Sequence, residues 1–277
     1  MKTLICTDSS AQLPAALVER LHAIVVPTSI AVGERTFDEQ ELDLDEFYGW
    51  LASGRRVTTS QPSPARFAEA YASAAERGAG SVVSIHVGAN LSGTVGSAEL
   101  AAREAPLPVE VVDTGTASFG VGICVLAAAD ALAAGGSAAE AADAVGRVVP
   151  RIGNVFVAEP PAKGRIQTGS RPQVLSLVGA TAESLGSATS AEQAARAMVA
   201  HIGAQAGSLR VAVGHADVSV AAAADQLAAA VEALPGVNEV MRYRVGPSVG
   251  AHTGGSSFGA FWWPARVPSA PPRRSAG

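Results

Sequence analysis

SVVSIHVGANLSGT, residues 81–94, carries the pattern that decides the fold. A β-branched apolar run ends at His86, a loop rich in Gly, Ser and Thr follows, and helical spacing then runs from Ser92 to Arg103. A buried strand feeding a helix through a short polar loop is half of a βαβ unit. Working outward, the same order recurs on both sides. LICT at 4–7 ends at the Asp8-Ser9-Ser10 loop, and Leu13, Leu17 and Leu21 give the next segment a helical stripe. IVVPTSIAV at 24–32 reads as one strand, edge or bent because Pro27 interrupts it. Helices are expected over Leu42–Leu51, with Asp43 as N-cap, and from Pro64 to Ala75. A strand at Val109–Val112 precedes two Ala-rich helices near 117–134 and 137–149. Strands separated by helices of this length imply right-handed crossovers and a parallel sheet.

The second half is less regular. Strands are expected at 155–158, 210–214 and 238–245, and helices at 191–202 and 218–234. The whole reads as α/β, with an N-terminal domain over 1–152, a smaller α/β domain over 153–263 and a disordered tail over 264–277, where Pro, Arg and Ser dominate. Hydrophobic residues make up 48% of the 277, ample for a core, while aromatics at 5% leave Ala-rich helices to fill it. A net charge of −5 without a basic run argues against nucleic acid as a partner. Cys6 and Cys124 lie in apolar runs and read as reduced, buried thiols. The N-terminus reaches Asp8 too soon for a signal peptide, and no stretch suits a bilayer span, so a cytoplasmic protein is expected.

Three loops share one chemistry: TDSS at 7–10, TTSQPSP at 58–64 and SIHVGANLSGT at 84–94. Each gathers hydroxyls near strand ends or helix starts, where backbone N–H groups are free for a small anion. Helix capping explains any one of them, and three together point to a ligand. No phosphate-binding GxxxxGK[ST] or dinucleotide fingerprint accompanies them, so the pattern suits a carboxylate, or a phosphate held by neutral donors. Among five histidines, His252 stands out between Gly250 and Gly254-Gly255, with Thr253 beside it. His86 and His215 each end an apolar strand, where core packing and ligand contact are both open. No His or Cys pair has metal-ligand spacing.

TDSSAQLP, VVPTSI, the ELD at 41–43, TSQPSPARF, SIHVGANLSGT and GAHTGGSSFG, in this order, resemble the DegV family from about Lys2 to Trp262. The resemblance implies two α/β domains with one long-chain fatty acid between them, its tail in an apolar tunnel and its carboxylate on hydroxyls and a His. It implies no cofactor beyond that ligand. Carried over by position, the carboxylate ligands are Thr59, Ser60, Ser92, Gly93, His252 and Thr253, with Ser9, Ser10, His86 and Arg165 as possible additions. It further implies a non-catalytic bacterial carrier in phospholipid metabolism. Such a carrier presents the carboxylate to an ATP-dependent fatty acid kinase subunit for acyl phosphate formation, with transient membrane contact. A tail of about 15 methylenes at ~0.8 kcal/mol each gives roughly 12 kcal/mol gross, so the tail sets strength and the head group orientation. Three departures stand out: AKGRI at 162–166 lacks a glycine of the usual KGGRI, QTGSRPQVLSL at 167–177 reads as shortened, which bears on a tunnel wall or lid, and GAHTGG at 250–255 replaces the usual GAHTGPG. The alternatives are a serine hydrolase or acyltransferase using Ser92 or Ser9 with His252 and Asp8 or Asp113, and a lipid-sensing interaction protein. Against the hydrolase stands the lack of a G-x-S-x-G elbow.

Overall fold

The computed structural model describes residues 2–158 and 173–266. Strand β1 (Thr3–Asp8) leads through helix α1 (Ala15–Leu21) to strands β2 (Ile24–Val26), β3 (Ser29–Val32) and β4 (Arg35–Asp38). Helix α2 (Leu44–Ala52), strand β5 (Val57–Ser60) and helix α3 (Pro64–Glu76) follow. Strand β6 (Ser81–His86), helix α4 (Thr94–Ala102) and strand β7 (Val109–Asp113) complete the alternation, before the paired helices α5 (Phe119–Ala133) and α6 (Ala138–Val148).

These residues form a parallel sheet in the order β2-β1-β6-β7, and a separate antiparallel sheet in the order β4-β3-β5. The single strand expected at 24–32 is therefore two, in different sheets. Pro27 has no N–H to give a ladder, and the next amide, Thr28 N, leaves sheet pairing to donate to Ser9 Oγ at 2.9 Å. The helix starts follow local chemistry. Asp43 accepts from Asp45 N and Glu46 N at 3.0 and 2.9 Å, and Ser137 and Glu140 form a reciprocal capping box on α6. Helix α5 is apolar on every side from Phe119 to Ala129 and lies buried there, which is where such a segment must go; only its last turn, from Asp130, meets solvent. Cys6 and Cys124 are free and buried, and desolvation pushes the Cys6 thiol up to about 12.

The second half contributes β8 (Gly153–Ala158), the hairpin β9 (Gln173–Val178) and β10 (Thr181–Ser187), helix α7 (Ala191–Gly203) and β11 (Leu209–His215). Helix α8 (Ala221–Glu232), β12 (Val237–Arg244), helix α9 (Pro247–Thr253) and β13 (Phe258–Pro264) end the described chain. Its sheet runs β10-β9-β8-β13-β11-β12, with only the β11–β12 pair parallel among the described strands. The molecule is thus mixed α/β, with a parallel-sheet N-terminal domain and a second α/β domain. One core spans both: Ile5, Val83 and Phe119 belong to the same apolar cluster as Ala212, Tyr243 and Trp263.

Three sequence expectations change here. The hydroxyl-rich stretch at 58–60 is a strand, because β3 offers it a pairing edge. GAHTGG at 250–255, where no helix is expected from the sequence, holds the last turn of α9 and its cap; Pro247 opens the helix and Gly254, at φ +82°, ends it. At the C-terminus, Pro264 is the last residue of a central strand and Ala265 N bonds Ser208 O at 2.8 Å. AKGRI, Arg165 and residues 267–277 lie outside the described residues.

Candidate functional site

The C-terminal ends of β1 and β6, the end of β5 and helix α9 converge on one cavity of about 520 Å³. That is within the range of roughly 300–1,000 Å³ usual for small-molecule sites. Its walls are mostly apolar: Val87, Leu91, Phe156, Leu177, Ala182, Val245, Val249, Phe258, Ala260 and Phe261. Hydroxyls and one imidazole border it as well: Thr59, Ser60, Ser92, Thr94, Ser248, His252, Thr253 and Ser257. Among the described residues no Lys or Arg lines it.

Each polar group is held by its own element. Thr59 sits opposite Ile30 in the β3–β5 ladder, and its Oγ1 lies 3.2 Å from His252 Nε2. The β6–α4 loop folds back on Gly88 O, which accepts from Leu91 N at 2.8 Å and Ser92 N at 3.1 Å. Ser92 Oγ then pairs with Thr94 Oγ1 at 2.8 Å, just before the first turn of α4. A Cβ at Gly93 would meet the end of the Gln61 side chain, whose amide donates to Ser97 Oγ at 3.2 Å and would have to shift aside. Thr253 Oγ1 pairs with Ser257 Oγ at 3.0 Å. The structure thus brings Thr59, Ser60, Ser92, Gly93, His252 and Thr253 to one cavity.

The additional candidates separate. Ser10 lines the cavity, but its hydroxyl and amide both donate to Asp8 Oδ1. Ser9 faces away and donates to Glu39. His86 is fully buried: its Nδ1 lies 3.0 Å from Asp8 Oδ2 and its Nε2 lies 2.7 Å from Ser84 Oγ, so both ring nitrogens are engaged below the cavity. Asp8 also accepts from Val87 N. Burial alone would raise the Asp8 carboxyl, but the hydrogen bond and electrostatic pull of His86, with the bonds from Ser10 and Val87, hold it below the usual carboxylate range. Asp113 accepts from Ala89 N and Gly115 N. With these partners Asp8 and Asp113 serve His86 and the loop backbone rather than His252.

A second, open groove of about 930 Å³ runs past Ser9, Gln12, Glu39, His215, Arg242 and Arg244. It is larger, yet it lacks Thr59, Ser92 and His252 and carries charges of both signs, whereas the first cavity is less open and mostly apolar. Arg242 and Arg244 do not stand free there. They pair with Asp225 and Asp45, each at 3.0 Å. Sequence reasoning did not single out Gln61, Ser248 or Ser257. Gln61 and Ser257 lie inside the quoted motifs, whereas Ser248 precedes one by two residues and carries no signal of its own.

Residues 2–160 match the model of a family described as uncharacterised protein, DegV family. A DegV domain-containing protein of Streptomyces coelicolor is 47% identical over 141 residues, which is 50% of this chain and 50% of that protein. One from Deinococcus radiodurans is 40% identical over 153 residues, 54% of each. The chain spans about half the length of the curated relatives it matches. Among solved structures, a fatty-acid-binding DegV family protein from Thermus thermophilus shares 30% identity at a TM-score of 0.83, over 95% of this chain and 100% of that one. A DegV lipid binding protein from Thermotoga maritima has the same fold, with a TM-score of 0.86 at 21% identity over 97% of this chain and 100% of that one. Among the described residues no helix is long and apolar enough to cross a membrane.

Proposed function

This chain belongs to the DegV family, and on that premise we propose that it binds one long-chain fatty acid in the cavity between its two domains, 1–152 and 153–263. In this reading Thr59, Ser60, Ser92, His252 and Thr253 hold the carboxylate, and Gly93 keeps the backbone close enough for them to reach it. The apolar wall from Phe156 to Phe261 shields the tail. The observation that carries the reading is the composition of the cavity, apolar over most of its wall with the Thr59–His252 and Ser92–Thr94 pairs at its border. Neutral donors suffice for one carboxylate when several converge, because burial strengthens each charge-assisted bond.

The protein does no chemistry of its own in this scheme. It takes a fatty acid from a membrane, keeps the tail from water and offers the carboxylate, in the cytoplasm, to an ATP-dependent kinase that forms the acyl phosphate. Organic extraction of the purified protein followed by mass spectrometry tests the binding step. One fatty acid per chain is the expected result; a protein that is empty and takes up no added fatty acid contradicts it. Acyl phosphate formation from the loaded protein with a fatty acid kinase subunit and ATP tests the presentation step. No product with wild-type protein would remove it.

A further inference from the structure

His252 reaches Thr59 only because helix α9 is held in one rotation, and seven residues are too few to hold a helix by themselves. Besides its apolar packing, its first turn is bonded to a buried acid outside the cavity. Glu39, 6% exposed, follows β4, and its Oε1 accepts from Ser248 N at 2.9 Å and Ser248 Oγ at 2.8 Å. Its Oε2 accepts from Ser9 Oγ, which in turn accepts from Thr28 N at 2.9 Å. Gln12 closes the ring: its Nε2 donates to Ser9 O at 3.1 Å and Ser248 Oγ at 3.2 Å, and its Oε1 accepts from Gly246 N. Ser248 and His252 are four residues apart on α9, hence on one face, and both line the cavity.

We infer that Glu39 is a positioning residue for His252: a carboxylate clamp joining the β1 and β4 ends to the first turn of α9, so that the imidazole meets the carboxylate end of the ligand. The inference rests on the lipid-binding reading for its purpose, though not for its geometry. A buried carboxylate is costly unless its lone pairs are satisfied, and these are satisfied by groups from two separate segments, Ser9 after β1 and Ser248 on α9. Burial pushes Glu39 above the usual carboxylate range while the bonds from Ser9 and Ser248 pull it back, so the clamp depends on those partners.

The test compares Glu39→Gln and Ser248→Ala with wild type by ¹⁵N imidazole NMR of His252 without ligand, and by titration with the fluorescent cis-parinaric acid. The clamp predicts a displaced or broadened His252 Nε2 signal in both variants. It also predicts about tenfold weaker binding for Glu39→Gln, the size of one charge-assisted bond. In a His252→Ala background the same change should cost less than about twofold. Unchanged His252 signals in both variants, or a full tenfold loss in the His252→Ala background, would overturn it. If Glu39→Gln does not fold, the Ser248→Ala spectrum decides. If wild type takes up no probe, the lipid reading falls, while the two spectra still judge the clamp.

Discussion

Two polar clusters in this molecule each join a histidine to hydroxyl side chains, yet they differ in their surroundings. From Asp8 at the cavity wall, a chain runs inward through His86, Ser84 and Tyr71: Asp8 to His86 at 3.0 Å, His86 to Ser84 at 2.7 Å, Ser84 to Tyr71 at 2.9 Å. At the cavity, Thr59 and His252 meet at 3.2 Å and Ser92 pairs with Thr94. His86 is 0% exposed, whereas His252 is exposed. The Asp–His–Ser order of the first resembles a catalytic relay, but Ser84 is sealed in the core and no substrate reaches it. Access separates the sealed network from the cluster proposed here to hold a ligand.

Four experiments would break or sharpen that contrast. The largest effect belongs to the buried chain. Asp8→Asn removes one partner of a buried pair and should cost about 4 kcal/mol in urea unfolding at pH 7. Because the folded Asp8 carboxyl lies below its unfolded value near 3.8, its contribution is present above that pH and lost as pH falls through the folded value. The variant should therefore lose less stability than wild type on acidification. Next comes the cavity: Ser92→Ala with His252→Ala should weaken fatty acid binding about a hundredfold, two charge-assisted bonds, while the unfolding midpoint stays within about 0.5 kcal/mol of wild type. A matching fall in stability would place these residues in the structural class. Tyr71→Phe deletes only the outer member of the buried chain and should cost about 1 kcal/mol with binding unchanged. The smallest effect is expected for Gly93→Ala, where the flexible Gln61 amide must shift aside; a loss of about threefold in affinity, seen by the same titration, is expected without a change in fold.

The elements that carry both clusters are legible in the sequence, for a physical reason. Strand β6 and helix α4 carry their own periodicities, Asp43 caps α2 locally, and the hydroxyl loops sit where a parallel sheet ends. Partnerships made only by the tertiary fold are not legible. Thr58–Ser60 reads as loop until β3 pairs with it, and Gly250 sits inside a helix that its own propensity opposes. Phe258–Pro264 forms a central strand between β8 and β11, a placement no local pattern states. The cavity wall has the same origin: Phe156, Leu177 and Phe261 come from three strands and meet only once the sheet forms. Glu39 and Ser248 are 209 residues apart, so their contact leaves no trace in either segment alone.

The central claim is that the exposed cluster holds a carboxylate, and ¹³C NMR of a carboxyl-labelled long-chain fatty acid bound to the protein tests it most directly. The account predicts one bound carboxyl resonance that moves in both Ser92→Ala and His252→Ala and stays in place in Tyr71→Phe. A bound resonance indifferent to Ser92 and His252 would contradict it.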